Sequence, residues 1–171
     1  MELESGDSSD NPPSPEDSPI LSQFIENMGL HYQQYGLSRI SGRILGLLLV
    51  TPQPISAEEM AESLKVSRSS ISTNLRTLLM TDLVEKVSLP GNRVDFFILS
   101  ADLWQKALEL RMAAILPLKA IADQALESLD RAHPAHGRLE EMIRWVDLVD
   151  DMAQRVRLEW QTLQEVPVGS G

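Results

Sequence analysis

No cysteine occurs anywhere in the 171 residues. That excludes disulfides, thiolate metal sites and thiol redox sensing, and makes a reducing cytoplasm the simplest home. Long apolar runs are missing too: the longest, ILGLLLV at 44–50, is far below the roughly 20 residues a bilayer core requires. The first residues are acidic and carry no apolar stretch, so neither a secretory signal nor a membrane partner is expected. There is no G-x-S-x-G elbow, no phosphate-cradling glycine loop and no paired-carboxylate signature. With no catalytic residue and no cofactor to assign, an enzyme is not expected. The most informative absence is local. The chain carries a formal net charge of −10, yet nothing between Glu62 and Asp82 is acidic.

The charge is unevenly spread. Residues 1–19 hold six acids and no base; residues 20–100 hold seven of each; residues 101–171 hold twelve acids and eight bases. The acidity therefore sits at the two ends, and a low overall pI does not forbid contact between the middle and a polyanion. The acid-free window contains SRSSISTNLRTLL at 67–79, rich in hydroxyls and guanidinium groups.

Three regions follow from composition and periodicity. Residues 1–19, rich in Ser, Pro and Asp, predict a disordered acidic tail. Residues 20–100 read as N-terminal helices followed by a DNA-binding unit. In the first helix Leu21, Phe24, Ile25, Met28 and Tyr32 recur at three and four residues, ending at Gly36. A second helix over about 38–50 is apolar almost all round, and Gly42 and Gly46 suggest close neighbours. After the break at TPQP, Ser56-Ala57-Glu58-Glu59 forms a capping box for a short helix with Met60, Ala61 and Leu64 inward. Ser67 can cap the next helix, with Ile71, Leu75, Leu78 and Leu79 buried and Arg68, Ser69, Ser72, Thr73, Arg76 and Thr77 outward. Val94, Phe96 and Ile98 then alternate with Arg93, Asp95 and Phe97, which predicts a half-buried strand. Pro90-Gly91 suits the centre of a type II turn, setting Lys86 across from Asp95.

Residues 101–171 predict a helical dimerisation region of two long helices. Ser100 is expected to cap the first, with a kink at Pro117. The second places Leu139, Met142, Val146, Val149, Ala153, Val156, Trp160 and Leu163 at alternating steps of three and four, a heptad seam that wants a partner helix in cis or from a second copy.

Short helix, turn, second helix, hairpin: the expected fold is mostly α, a winged helix-turn-helix with a two-stranded wing and long N- and C-terminal dimerisation helices. Such a motif lays its second helix in the major groove. Candidate DNA-binding residues are Arg68, Ser69, Ser70, Ser72, Thr73 and Arg76 on that helix, with Arg93 at the wing tip reaching a flanking minor groove. Asn74 has the chemistry to read adenine but sits beside the buried stripe.

The stretch from 37 to 104, with AEEMAESLKVSRSSISTNLRTL and the wing LVEKVSLPGNRVDFFIL, resembles MarR-type transcriptional regulators. Within them it is similar to the branch that includes the glycine-betaine-synthesis repressor. The resemblance implies a homodimer on a pseudo-palindromic operator of double-stranded DNA, usually as a repressor. Because some members are released by a small ligand, it also raises a small-molecule effector of unknown chemistry. A quaternary amine would need an aromatic cage, for which Trp104, Trp145, Trp160, Tyr32 and Tyr35 are available, although aromatics at helical spacing are more often core. His133 and His136 flank Pro134 in an expected loop without a third ligand, so no metal is assigned. The rival reading is a winged helix that docks on protein within a larger assembly.

Overall fold

The computed structural model describes residues 18–91 and 93–165. The expected acidic tail lies outside them except for Ser18, which caps the first helix, and Pro19, which begins it. The chain divides into two compact units after Ala101.

In the first unit, α1 (Pro19–Gln34) starts on the Ser18 hydroxyl, which accepts from the Leu21 amide, and on a proline whose missing N–H costs nothing there. It packs along α2 (Arg39–Val50), capped by Ser38. The approach is tight because Gly42 and Gly46 face it: a Cβ on Gly42 would lie 2.6 Å from the Met28 carbonyl oxygen. Glu26 of α1 pairs with Arg39 (2.9 Å) and Arg43 (2.6 Å), and Arg43 also donates to the Leu64 carbonyl.

Strand β1 (Ile55–Ser56) leads straight into α3 (Ala57–Ser63). The capping box forms in both directions, Glu59 N–H to Ser56 Oγ and Ser56 N–H to Glu59 Oε2. Lys65 turns the chain with φ of 53°, and Ser67 caps α4 (Arg68–Met80). Helix α4 buries Ile71, Leu75 and Leu78 beside Met60 and Leu64 of the same core. Strands β2 (Val84–Ser88) and β3 (Asp95–Leu99) complete an antiparallel sheet of order β1-β3-β2. Gly91 has φ of 79°, the backbone that a type II turn requires at its third position.

The wing is the hairpin of β2 and β3, as expected, and the sheet gains a third strand because Ile55 of β1 pairs with Phe97. Two expectations need correcting here. The inward residue of β3 is Phe97, 7% exposed, while Val94 is 52% exposed. Strand β3 is central and packs against α2 and α3, and Phe97 occupies the face turned to those helices. Finally, Ser100 does not cap the following helix: it is buried at the end of the sheet, its amide donating to the Leu83 carbonyl, and Asp102 takes the cap position without a side-chain hydrogen bond.

The second unit has three helices where two were expected. Pro117 cannot supply the amide needed to continue, so the first divides into α5 (Leu103–Ile115) and α6 (Pro117–Ser128) around Leu116. Helix α7 (His136–Glu165) runs 30 residues, about 45 Å at 1.5 Å per residue. It packs mainly on α6, with Ala122, Val146 and Ala153 buried and an ion pair between Lys119 and Asp147. The N-terminal half of the heptad seam is therefore satisfied within the chain. Further along, Val156 and Leu163 stay exposed. A second apolar stripe, Trp145, Leu148 and Met152, is 50–57% exposed on the same helix. Among the described residues no helix is long and apolar enough to cross a membrane.

Candidate nucleic-acid interface

The site is built on the outer face of α4. With Ile71, Leu75 and Leu78 buried, the helical period forces Arg68, Ser72 and Arg76 outward. All three are exposed and spaced four residues apart, a ridge about 12 Å long. Ser69 and Thr73 are exposed beside it, and Ser70 is half-buried at its flank.

Their free valences differ. Arg76 makes no ion pair and Ser72 no hydrogen bond among the described residues. Thr73 Oγ1 donates to the Ser69 carbonyl, which leaves the hydroxyl able only to accept, and Ser69 Oγ lies 3.0 Å from the capping Ser67 Oγ. Arg68 pairs with Glu58 of α3. A cation in the first turn of a helix is unfavourable to the helix dipole, and this carboxylate offsets it. Glu58 was not legible as a partner: it lies ten residues earlier and meets Arg68 only because the turn folds α3 back beside α4.

Between α4 and the sheet runs an open groove of about 600 Å³, lined by Ser72, Arg76 and Leu79 on one side and Lys86, Val94 and Asp95 on the other. Asp95 would repel a phosphate there, but Lys86 Nζ holds it at 2.9 Å. The pairing is diagonal: Lys86 stands opposite Phe97, and Asp95 opposite Ser88. Arg93 is exposed ahead of β3 with no ion pair among the described residues, and it does not line the groove.

Asn74 is turned away from this surface. Its Oδ1 accepts from the hydroxyls of Ser38 and Ser41 at the start of α2, and its Nδ2 donates to the Ser70 carbonyl at 2.7 Å. The three tryptophans of the second unit do not share one pocket. Trp104 and Trp160 line one groove of about 250 Å³ in the second unit together with Arg157 and Glu159, whereas Trp145 is elsewhere on α7 and Tyr32 and Tyr35 belong to the first unit. His133 Nδ1 accepts from the Ala135 amide, and no group of three metal-ligating side chains occurs among the described residues.

The pair formed by Glu58 and Arg68 carries a test. Exposed ion pairs are worth about 0.2–1 kcal/mol, so Glu58→Gln is expected to tighten duplex binding by up to about fivefold, because Arg68 no longer has to leave a partner. Fluorescence anisotropy on a labelled duplex at two salt concentrations checks this; a weaker complex would mean that Glu58 itself touches DNA.

A helix-turn-helix whose second helix offers guanidinium and hydroxyl groups, followed by a β2–β3 wing, defines a winged-helix protein. Comparison gives the family. Residues 35–93 match the MarR family. The HTH-type transcriptional regulator MmpR5 of Mycobacterium tuberculosis is 36% identical over 126 residues, which cover 72% of this chain and 76% of that protein. The HTH-type transcriptional repressor OpcR of Bacillus subtilis is 26% identical over 87 residues, 51% of this chain and 47% of that one. A crystal structure described as a transcriptional regulator superposes with a TM-score of 0.68 at 31% identity, covering 84% of this chain and 99% of that one. The chain belongs to the MarR family of transcriptional regulators, which are not enzymes.

Proposed function

We propose that the protein is a cytoplasmic homodimeric repressor that binds a pseudo-palindromic operator, with residues 20–100 contacting DNA and residues 101–171 holding the dimer. The observation that carries this reading is the exposed ridge Arg68–Ser72–Arg76, which bears no acid and opens onto a groove whose one carboxylate is neutralised. Arg68, Ser69, Ser72, Thr73 and Arg76 are assigned to the duplex beneath α4, Ser70 to its edge and Arg93 to the flanking backbone or minor groove. The dimer is supported by the exposed stripe of Trp145, Leu148 and Met152, continuous with Val156 on a helix whose other face is already packed on α6. Exposed apolar surface at that spacing fits a second copy of the same helix.

Repression is the outcome favoured by the relative named a repressor. Placement in the branch that includes the glycine-betaine-synthesis repressor rests on the resemblance across residues 37–104, and a small-molecule effector remains part of the proposal on that ground. Two recognition helices related by a two-fold axis should meet half-sites about one helical turn, 34–36 Å, apart. Footprinting the DNA upstream of the protein's own gene tests this. Two protected patches one turn apart are expected; no protection at modest salt would favour docking on protein.

Arg93 supplies a finer check. Because it is exposed and makes no ion pair among the described residues, Arg93→Ala is expected to leave the melting temperature unchanged, weaken operator binding roughly tenfold and flatten the salt dependence by about one unit of slope. Unchanged affinity would remove Arg93 from the interface.

A further inference from the structure

We infer that Asn74 is a positioning residue: with Ser38 and Ser41 it latches the recognition helix to the start of α2 and so fixes the angle at which α4 meets DNA. This rests on the DNA-binding reading above and deepens it. The side chain belongs to α4, but both hydroxyls that reach its Oδ1 belong to another helix, Ser38 as the N-cap of α2 and Ser41 in its first turn. Ser38 Oγ meanwhile accepts from the Ser41 amide at 3.0 Å. Every group in the cluster has a partner, and the amide can adopt only one orientation, since only Nδ2 can donate to the Ser70 carbonyl. Ser41 is 1% exposed, so loss of its acceptor would leave its hydroxyl only Ser38 Oγ, 3.1 Å away, where water cannot reach it.

The latch is needed because of how α4 is otherwise held. Ile71, Leu75 and Leu78 bury one face in an apolar core, and apolar contact resists separation more than rotation about the helix axis. Hydrogen bonds are directional, and Asn74 sits at the edge of the buried face, where a rotation of α4 would move its amide farthest from the two hydroxyls. The start of α2 is also a helix N-terminus, whose positive end strengthens hydroxyl donation toward the amide oxygen. A roll of α4 by one side-chain width would carry Arg68, Ser72 and Arg76 off the base edges while leaving them near phosphates. Discrimination between sequences would fall, and affinity for DNA in general would not.

The full-length wild type is used to select its preferred duplex from a randomised pool. Affinity for that duplex and for a scrambled duplex of equal length is then measured for the wild type, Asn74→Ala and Ser41→Ala, with thermal melts confirming that each is folded. Asn74→Ala is expected to lower the selected-to-scrambled ratio about tenfold, distributed over several base pairs, while scrambled-duplex affinity stays within about twofold. Ser41→Ala, the milder change because Ser38 still reaches Oδ1, should shift the ratio in the same direction by about threefold, with no further loss when added to Asn74→Ala. Loss confined to one base pair in Asn74→Ala, with Ser41→Ala silent, would make Asn74 a base reader and overturn the latch. An unchanged ratio in either folded variant also overturns it, leaving the network a stabilising role alone. Should Asn74→Ala not fold, Ser41→Ala decides by the same criterion. A wild type that enriches no sequence would instead remove the DNA-binding reading, and the latch with it.

Discussion

Replacing Arg76 with glutamate is expected to weaken operator binding by two to three orders of magnitude while leaving the protein folded. Arg76 is exposed, makes no ion pair among the described residues and lines the groove between α4 and the wing. The substitution removes an attraction and installs a repulsion at the same place. A unit charge about 5 Å from a phosphate interacts with roughly 1–3 kcal/mol at effective dielectric constants between those of water and a protein surface. Reversing its sign therefore costs about twice that, roughly 2–6 kcal/mol, and losing a bidentate contact to guanine would itself cost about 1–3 kcal/mol. Stability should change by no more than about 0.5 kcal/mol, because nothing buried is disturbed. Anisotropy titrations at two salt concentrations, paired with thermal melts, check both halves. Raising the salt should narrow the gap between wild type and variant, since screening shortens the reach of the repulsion. A variant that binds normally would mean that the outer face of α4 does not meet the duplex.

What could be read from the residues and what could not divides by range. The capping box of Ser56 and Glu59, the cap at Ser67 and the turn at Gly91 are interactions within three or four residues, so their chemistry is written side by side. The outward face of α4 was legible because Ile71, Leu75 and Leu78 fix the phase of the helix, and the remaining positions follow from a period of 3.6 residues. The phase of β3 was not. Both alternating sets contain aromatic or branched residues, so periodicity alone left the choice open, and packing on α2 and α3 selected Phe97.

Long-range pairings were hidden for a different reason. Glu58 reaches Arg68, and Ser38 and Ser41 reach Asn74, only after the chain has turned back on itself. Asn74 could be placed beside the buried stripe by its spacing, but its partners lie 33 and 36 residues earlier. On α7 a single heptad seam was visible, yet the helix carries a second apolar stripe at Trp145, Leu148 and Met152. The first half of the seam meets α6 in the same chain, and the second stripe stays exposed. Spacing identified a helix with something to bury; which face was already covered depended on α6.

The glycines of α2 and α7 should respond in opposite directions to the same added methyl group. At Gly42 a Cβ would stand 2.6 Å from the Met28 carbonyl oxygen, 2.9 Å from Gly29 Cα and 3.0 Å from Tyr32 Cβ. Two of those three atoms are backbone, so relief requires α1 to move as a body. Overpacking against backbone falls at the upper end of the usual range, about 2–3 kcal/mol, against roughly 1 kcal/mol gained from the better helix propensity of alanine. Gly42→Ala is therefore expected to destabilise the first unit by about 1–2 kcal/mol. Gly42→Val adds two more carbons and should cost about 3 kcal/mol or more, lowering its melting temperature by roughly 15 °C at 4–8 °C per kcal/mol for a unit of this size. The loss should carry into function, because Ser41, the preceding residue, donates to Asn74, and any share of the relief taken up by α2 moves that hydroxyl. At Gly137, in the first turn of α7, a Cβ would meet nothing within 4 Å. Gly137→Ala should accordingly stabilise its helix by about 0.5–1 kcal/mol through propensity alone. Calorimetric melts of the two alanine variants read the signs directly, and a neutral Gly42→Ala would mean that α1 and α2 do not cross as closely as those distances require.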